Sequence, residues 1–319
     1  MAEDSHDGLL SLRLDAIHYG AADTNLYAFA APDGSSLPAY EPGAHIEIHL
    51  PGGLLRQYSL ARPWRPGRPY LVGIKRDAAS RGGSRFLHEE ARVGALFRVG
   101  LPRNHFPLAA ERAFSVLLAG GIGVTPIWCM AQHLAQRGAP FEMHYAVRSR
   151  ADAAFLAELE TMSPKARLHV DAEAGALIDI AAIVEAAPAG AHLYCCGPTP
   201  MMAAFEAAAA GRPADHVHVE YFSGPAPLPI AGGFIVALAR SGRELPVAPG
   251  ATILDTLRAA GLSTPASCEQ GVCGTCETRV LEGVPDHRDL LLTPAEKAEG
   301  RTMMICCSGS LSDRLVLDL

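Results

Sequence analysis

The sequence predicts a multi-domain fold: a small antiparallel β-barrel, an α/β domain on a parallel sheet, and a smaller C-terminal domain. Three observations predict it. At 319 residues the chain exceeds the roughly 100–200 of a single domain. Near residue 110 its rhythm changes from short alternating runs to strand–helix alternation, and a proline-rich stretch at 223–229 interrupts the pattern before apolar runs resume. With 49% apolar and 19% charged residues, each part can bury a core, which excludes a disordered or collagen-like chain.

Up to residue 110 the runs AHIEIHL, after Glu41-Pro42-Gly43, and RPYLVGIKR, after Arg65-Pro66-Gly67, alternate between turn signals as barrel strands do. From Phe114 the pattern is different. FSVLLAGG reads as a buried strand, TPIWCMAQHLAQRG as a helix, FEMHYAV as a strand and ADAAFLAELETM as a helix; ARLHV, DIAAIVEAA, AHLYCC, PMMAAFEAAAAG and DHVHVEYF follow. Such alternation requires crossovers and gives a parallel sheet covered by helices. The run Ala113–Ala131 is free of charge, but Gly120, Gly121, Gly123 and Pro126 divide it, so it reads as two elements rather than a membrane span.

Ser223 to Pro229 holds three prolines and reads as an extended linker. Beyond it, GGFIVALARSGRELPVAPG predicts a hairpin turning at Ser241-Gly242, and TILDTLRAAG a helix stopping at Gly261. Thr293-Pro294-Ala295-Glu296 has capping-box spacing with proline at the first helical position, and TMMICCS reads as the next strand. The expected segments are 1–110, 111–224, a linker at 225–230, and 231–319.

Charge narrows the partners. Lys and Arg total 27 against 34 Asp and Glu, a net −7, opposite in sign to the field that draws proteins to phosphate backbones, so no nucleic-acid partner is expected. The first ten residues, MAEDSHDGLL, are acidic and lack the basic start and apolar run of a secretory signal. A cytoplasmic protein with reduced cysteines is expected.

Cys268, Cys273 and Cys276 stand at C-x4-C-x2-C, with Cys306 further on. This is the spacing of a plant-type [2Fe–2S] centre. Thiolates converging on a compact cluster need a loop with backbone N–H groups aimed at sulfur, and Gly271, Gly274 and Thr275 are small enough to allow it. Structural zinc favours paired short knuckles, and only one close pair exists here. A disulfide framework conflicts with the expected reducing compartment. Cys307 is the alternative fourth ligand; strand alternation lets only one of the two face the cluster, and spacing favours Cys306.

The C-terminal ninety residues resemble plant-type ferredoxins, and the three parts in order resemble the phthalate dioxygenase reductase family, which includes the reductases of vanillate demethylase and related aryl-ether oxygenases. Besides the cysteines, the carriers are Arg56-Gln57-Tyr58-Ser59, Ser80-Arg81-Gly82-Gly83-Ser84, Gly120-Gly121-Ile122-Gly123-Val124-Thr125-Pro126, Cys196-Gly197-Pro198 and Glu220-Tyr221-Phe222. The resemblance implies an FMN-binding barrel, an NAD-binding α/β domain and a β-grasp ferredoxin domain of α+β type. It implies electron transfer from NADH through FMN and a [2Fe–2S] cluster to a separate Rieske-type oxygenase acting on an aromatic compound, by a monomeric oxidoreductase with no membrane partner. The alternative is an NAD(P)H-dependent reductase serving another acceptor, such as a different monooxygenase.

Residue by residue, Arg56, Gln57, Tyr58 and Ser59 fall where the family strand meets flavin; Arg56 and Tyr58 share one face of that strand. Val72-Gly73-Ile74-Lys75 looks like the strand beside the flavin ring, and Gly82, Gly83 and Ser84 like its phosphate turn. FMN rather than FAD rests on the family likeness. On the following helix, His88 reads as a surface or capping residue. Gly120, Gly121 and Gly123 precede a helix whose N–H groups suit a pyrophosphate, and Thr125 stands where the family threonine lies near the flavin edge. Cys196, with Gly197 and Pro198, matches the cysteine bordering the nicotinamide; Cys195 is its neighbour and Cys129 a core residue. Phe222, closing the last strand, matches the aromatic near the flavin. Arg148 and Ser149 suit the adenosine ribose, or a 2′-phosphate in NADPH. Glu269 and Glu277 are acidic residues suited to a basic patch on the oxygenase.

A nicotinamide yields paired electrons, whereas a [2Fe–2S] centre accepts them singly. A flavin can do both, so the three sites explain one another without a general acid, base or nucleophile.

Overall fold

The computed structural model describes residues 8–78, 80–109, 113–224 and 232–319. They divide into two compact units, Met1–Glu220 and Tyr221–Leu319. The boundary expected between 110 and 111 and the linker expected at 225–230 lie outside the described residues.

The first unit begins with an antiparallel sheet in the spatial order Leu54–Ser59, Ala44–Leu50, Leu96–Gly100, Leu9–Ala21, Thr24–Ala30, Tyr70–Lys75, with Arg103–Asn104 beside Ala44–Leu50. A bridge between Leu60 and Val72 joins the two ends, so the sheet closes on itself. Alternation drives the closure: Leu10, Leu12 and Leu14 point inward and meet Phe29, Ile46, Ile48, Val72 and Val99 in one core.

Five parallel strands follow, ordered Ala166–Val170, Phe141–Val147, Ser115–Gly120, His192–Cys196, Val217–Glu220. The chain enters at the centre, builds one side, then returns to build the other. The order therefore reverses between Ser115–Gly120 and His192–Cys196, where the loops leaving the strands part and open a crevice at the carboxyl ends. Helix Val124–Arg137 buries the run from Val124 to Ala131 and Leu134, and stops at Gly138, whose φ of 66° suits a residue without a Cβ.

Two expected elements are shorter than their sequence pattern. The helix expected over 151–162 is a 3-10 turn, Arg150–Asp152, then a separate helix, Leu156–Thr161. Tertiary packing explains the break: Phe155 takes a φ of 60° and stacks on Trp128 at 6.0 Å between ring centroids, an arrangement that continuous helix would forbid. The last strand stops at Glu220, two residues before Phe222.

Barrel and parallel sheet are tied to one another within this unit. The Ala22 N–H donates to the Ala151 carbonyl at 2.7 Å. The Tyr194 hydroxyl accepts from the Ala109 N–H at 2.7 Å. Arg62 pairs with Glu158 at 2.6 Å, whose second oxygen accepts from Trp128 Nε1 at 3.3 Å.

The second unit is a mixed sheet ordered Glu244–Val247, Phe234–Leu238, Arg314–Leu317, Glu277–Glu282, Thr302–Met304. Phe234–Leu238 and Arg314–Leu317 run parallel, the other neighbours antiparallel. Helix Ile253–Ala259, capped by Thr252, sends Ile253, Leu254 and Leu257 into the core with Phe234, Val236, Met303 and Leu315. The helix expected after Thr293 forms with both halves of its capping box. The strand expected at TMMICCS ends at Met304. Cys306 and Cys307 lie in the turn that follows, closed by the Ser308 N–H on the Met304 carbonyl at 3.0 Å, so strand alternation does not govern which of them faces inward.

Trp128 is 1% exposed, and Trp128→Ala leaves a large cavity and an unstacked Phe155. The first unit should lose about 3–5 kcal/mol. Fluorescence of Trp64, the only other tryptophan, should report a lower urea midpoint; an unchanged midpoint would show that this contact is not structural.

Candidate functional site

On strand Leu54–Ser59, Arg56 pairs across from Ile48 and Tyr58 from Ile46, so both project from one face, while Gln57 opposite Glu47 projects from the other. The Arg56 guanidinium donates to the Leu55 carbonyl at 2.7 Å and the Arg81 carbonyl at 2.9 Å. Its stem crosses Gly83 so closely that a Cβ there would stand 2.5 Å from Arg56 Cγ. Gly82 has a φ of 96°, and together the two glycines let the turn wrap under the arginine. The result is a cation beside the backbone N–H groups that begin helix Gly83–Glu89, a donor set that fits a phosphate. The Ser84 hydroxyl is spoken for locally, accepting the Asp77 N–H at 3.3 Å and donating to Ser80 Oγ at 3.0 Å. Burial pushes the Tyr58 phenol well above its usual range, with the Arg56 cation opposing, so it stays neutral. Nε2 of His88 meets the Ile74 carbonyl at 2.8 Å and its ring packs edge-on against Tyr27, so this half-buried histidine ties helix to strand rather than lying on the surface or capping the helix.

Strand Tyr70–Lys75 carries Gly73 and Ile74 inside and Lys75 at its exposed end. A Cβ on Gly73 would lie 2.7 Å from Thr125 Cγ2. The barrel strand and the glycine turn of the parallel sheet therefore meet here because one of them has no side chain. Thr125 is 1% exposed; its hydroxyl donates to the Ile122 carbonyl at 3.1 Å, leaving only its methyl to face the barrel.

Behind it, Gly120, Gly123 and Gly197 pack two loops together. A Cβ on Gly120 would meet Met201 Sδ at 2.5 Å and Pro198 Cδ at 2.6 Å; one on Gly123 would meet the Cys196 carbonyl at 2.2 Å. Gly121 is the opposite case: its φ is 53° and nothing lies within 4 Å of where its Cβ would be. That turn thus presents open backbone to a ligand at the crevice mouth, which fits a dinucleotide.

Cys196 and Glu220 pair laterally on adjacent strands, as do Cys195 and Val219. Lateral partners in a parallel sheet share a face, so Cys196 lies with Glu220 and Cys195 on the opposite side, where Glu206 acts on it electrostatically. Ser59 donates to Glu220 Oε2 at 3.2 Å. Desolvation pushes the Glu220 carboxyl up to about 8, with the Ser59 hydrogen bond opposing. Although the residue keeps some solvent contact, its carboxyl lies among protein atoms. Burial first, then Glu220, holds the Cys196 thiol well above the ordinary range, so it remains a neutral thiol, unsuited to nucleophilic attack. Glu220 was visible in the sequence only as part of a family motif. The signal that points to it is a carboxylate directly after the apolar run VHV, at the carboxyl end of a strand.

The Ser149 hydroxyl and N–H both bind Asp152 Oδ2, at 2.8 and 3.1 Å, so this residue caps a turn, while Arg148 beside it is exposed. Cys129 is fully buried in helix Val124–Arg137, as expected of a core residue. Phe222 lies beyond the strand it was expected to close, in the second unit, and is 43% exposed.

In the second unit, the loop 268–276 turns its backbone toward sulfur. Cys268 Sγ accepts from the Gln270 and Val272 N–H groups at 3.3 and 3.5 Å, and Cys273 Sγ from the Cys268 N–H at 3.4 Å. The Cys273 thiol also contacts the Thr275 hydroxyl at 3.5 Å. Cys276 and Cys306 touch through their thiols, and Cys307 contacts Cys306 and reaches back over Gly271. Four soft sulfur donors, with backbone N–H groups aimed at those of Cys268 and Cys273, fit an iron–sulfur cluster. Glu269 is ion-paired with Arg258 at 2.8 Å, whereas Glu277 is exposed at a strand start.

Residues 236–309 match the family described as 2Fe-2S iron-sulfur cluster binding domain, and residues 117–207 match the oxidoreductase NAD-binding domain. The chain is 52% identical over 310 residues to phenoxybenzoate dioxygenase subunit beta of Ectopseudomonas oleovorans, covering 97% of each. It is 44% identical to a vanillate O-demethylase oxidoreductase of a Pseudomonas species, covering 98% of this chain and 100% of the relative. Among solved structures, phthalate dioxygenase reductase, described as a modular structure for electron transfer from pyridine nucleotides to [2Fe-2S], superposes with a TM-score of 0.74 at 34% identity and 98% coverage of both chains.

The Glu220 carboxyl predicts a pH dependence. Its folded value of about 8 lies above the unfolded one of about 4.3, so the folded state holds the proton more tightly between them. Stability of the first unit should be greatest below that window and fall by about 2–4 kcal/mol as pH rises through 8. Urea midpoints at intervals from pH 5 to 8.5 check this: Glu220→Gln should flatten the decline, and an identical decline in that variant would remove Glu220 as its source.

Proposed function

The chain belongs to the phthalate dioxygenase reductase family, and from that membership we propose that it is the reductase component of an aromatic-compound oxygenase system, either a ring dioxygenase or an O-demethylase. It is an NADH-dependent oxidoreductase that works with FMN and a [2Fe–2S] cluster. Its electron acceptor is an oxygenase component, proposed to be of the Rieske type; a cytoplasmic monomer is the proposed working form. No helix among the described residues is long and apolar enough to cross a membrane.

The observation that carries this reading is the approach of Thr125 Cγ2 to Gly73. It supports a crevice in which a ring held on the barrel and a nicotinamide held at the sheet's switch point face one another. Bound there, the flavin supplies the exchange between paired and single electrons, and the iron–sulfur cluster supplies one-electron transfer outward.

The chain's own residues do the positioning. Arg56 with the Gly82, Gly83 and Ser84 turn is proposed to hold the flavin phosphate, and Tyr58, Gly73, Ile74 and Lys75 to line the ring and its side chain, with Gln57 and Ser59 contributing from the opposite face of their strand. Gly120, Gly121, Gly123, Gly197 and Pro198 are proposed to cradle the dinucleotide, with Arg148 and Ser149 toward the adenosine. The Thr125 methyl sets a spacing and excludes water. Cys196, a neutral thiol, borders the nicotinamide without bonding to it, and Glu220 holds its proton at neutral pH between Cys196 and Ser59. Cys268, Cys273, Cys276 and Cys306 are the proposed iron ligands.

Purified chain reconstituted anaerobically should hold FMN, iron and acid-labile sulfide, and should reduce cytochrome c with NADH. In Cys268→Ser, cytochrome c reduction and the iron signal should fall at least tenfold while NADH–ferricyanide activity persists; an intact iron signal would refute the ligand assignment. Arg56→Ala should weaken FMN retention by about 1.5–3 kcal/mol, the worth of one charge-assisted contact, and leave iron content unchanged. Equal loss of both would point to unfolding.

A further inference from the structure

The segment Asp286–Leu292 is no part of the cysteine set, yet it touches both stretches of chain that carry the proposed iron ligands. The Leu290 N–H donates to the Gly271 carbonyl at 3.0 Å, inside the 268–276 loop. The Arg288 N–H donates to Ser308 Oγ at 3.2 Å, two residues past Cys306. Between these contacts stands Asp289. Gly271 has a φ of 71°, and a Cβ there would lie 2.9 Å from Asp289 Cα, 3.1 Å from Asp289 Cβ and 2.5 Å from Cys307 Sγ. The acid is thus packed directly against the back of the ligand loop, and it acts electrostatically on Cys307.

The Asp289 side chain is fully buried. Oδ2 accepts the Leu291 and Leu292 N–H groups at 3.2 and 2.8 Å, and the Lys297 ammonium lies 3.7 Å from it while donating to the Asp289 carbonyl at 2.5 Å. Two hydrogen-bond donors and one nearby cation thus face Oδ2. Oδ1 has no hydrogen-bond partner among the described residues, and neither ring nitrogen of the neighbouring buried His287, whose Nδ1 is 3.7 Å away, has one either. A buried charge with half its hydrogen-bonding capacity unused is costly to keep. Folding alone would be served as well by asparagine, which retains an acceptor for the two N–H groups. The feature that only the acid supplies is a fixed negative charge behind the cluster loop, offset in part by Lys297.

We propose that Asp289 and Lys297 are positioning residues that set the reduction potential of the cluster through their opposed charges. This rests on reading the second unit as a [2Fe–2S] domain. Reduction moves one electron from the flavin to the cluster, breaks no bond and requires no proton, so it adds one unit of negative charge. A nearby carboxylate opposes that addition and a nearby ammonium favours it, both more strongly in a buried setting than in water. The pair therefore keeps the cluster reducing enough to pass its electron outward, yet open to reduction by the flavin.

Opposite shifts from the two single changes separate this from a purely structural role. Anaerobic redox titration of the full holoprotein, followed by the electron paramagnetic resonance signal of the reduced cluster, reads the potential apart from the flavin. Asp289→Asn should move it positive and Lys297→Met negative, each at unchanged iron and sulfide content, and Asp289→Glu should return it toward wild type. Lys297 is 30% exposed, so its variant carries the test should Asp289→Asn lose the cluster. Unshifted potentials with a full cluster, or shifts of the same sign, would overturn the inference while leaving the reductase reading intact. Wild-type protein without iron would overturn both.

Discussion

The backbone of one barrel strand and the Thr125 methyl approach closely at Gly73 because that residue has no side chain. A Cβ there would stand 2.7 Å from the Thr125 methyl, so any other residue would force that side chain or its neighbours to shift. From this contact follow the position of the crevice, the orientation of the two ligand-bearing faces toward one another, and the exclusion of water between them. Electron transfer from a nicotinamide to a ring is chiefly a matter of distance and alignment. A fold that fixes both by packing needs little reactive chemistry, which accords with a Thr125 hydroxyl tied to its own turn and a Cys196 thiol kept neutral.

The polar groups that remain are arranged to stabilise charge without reacting. Arg56 and the turn at Gly82 and Gly83 offer cation and backbone donors together; the cysteine loop offers N–H groups to sulfur. Both solutions use glycine where a Cβ would collide with a neighbouring residue. Glu220 is the exception: a carboxyl that burial keeps protonated at neutral pH.

Much of this was legible in the sequence. Period-two runs and strand–helix alternation are local signals, so the barrel strands, the parallel strands and the capped helix after Thr293 lie close to where their patterns put them. The cysteine spacing named its chemistry because four thiolates at that interval serve few other ends. Most of what escaped is long-range. Phe155 breaks an apparent helix because Trp128, distant in sequence, offers it a stacking surface. One miss is local: Cys306 and Cys307 look like strand residues, but the turn closed by the Ser308 N–H on the Met304 carbonyl takes them out of the strand. Glu220 draws its character from Ser59, far away in the chain, whereas Asp289 is held by its own neighbours Leu291 and Leu292 but is packed against the distant Gly271.

The central claim is that nicotinamide electrons reach the iron–sulfur centre only by way of a flavin seated in the crevice. Anaerobic addition of NADH to chain stripped of flavin but retaining its cluster, observed by electron paramagnetic resonance before and after FMN is restored, tests it most directly. The account predicts no reduced-cluster signal until FMN is added, and its full appearance afterwards. Reduction of the cluster by NADH in the flavin-free chain would contradict it.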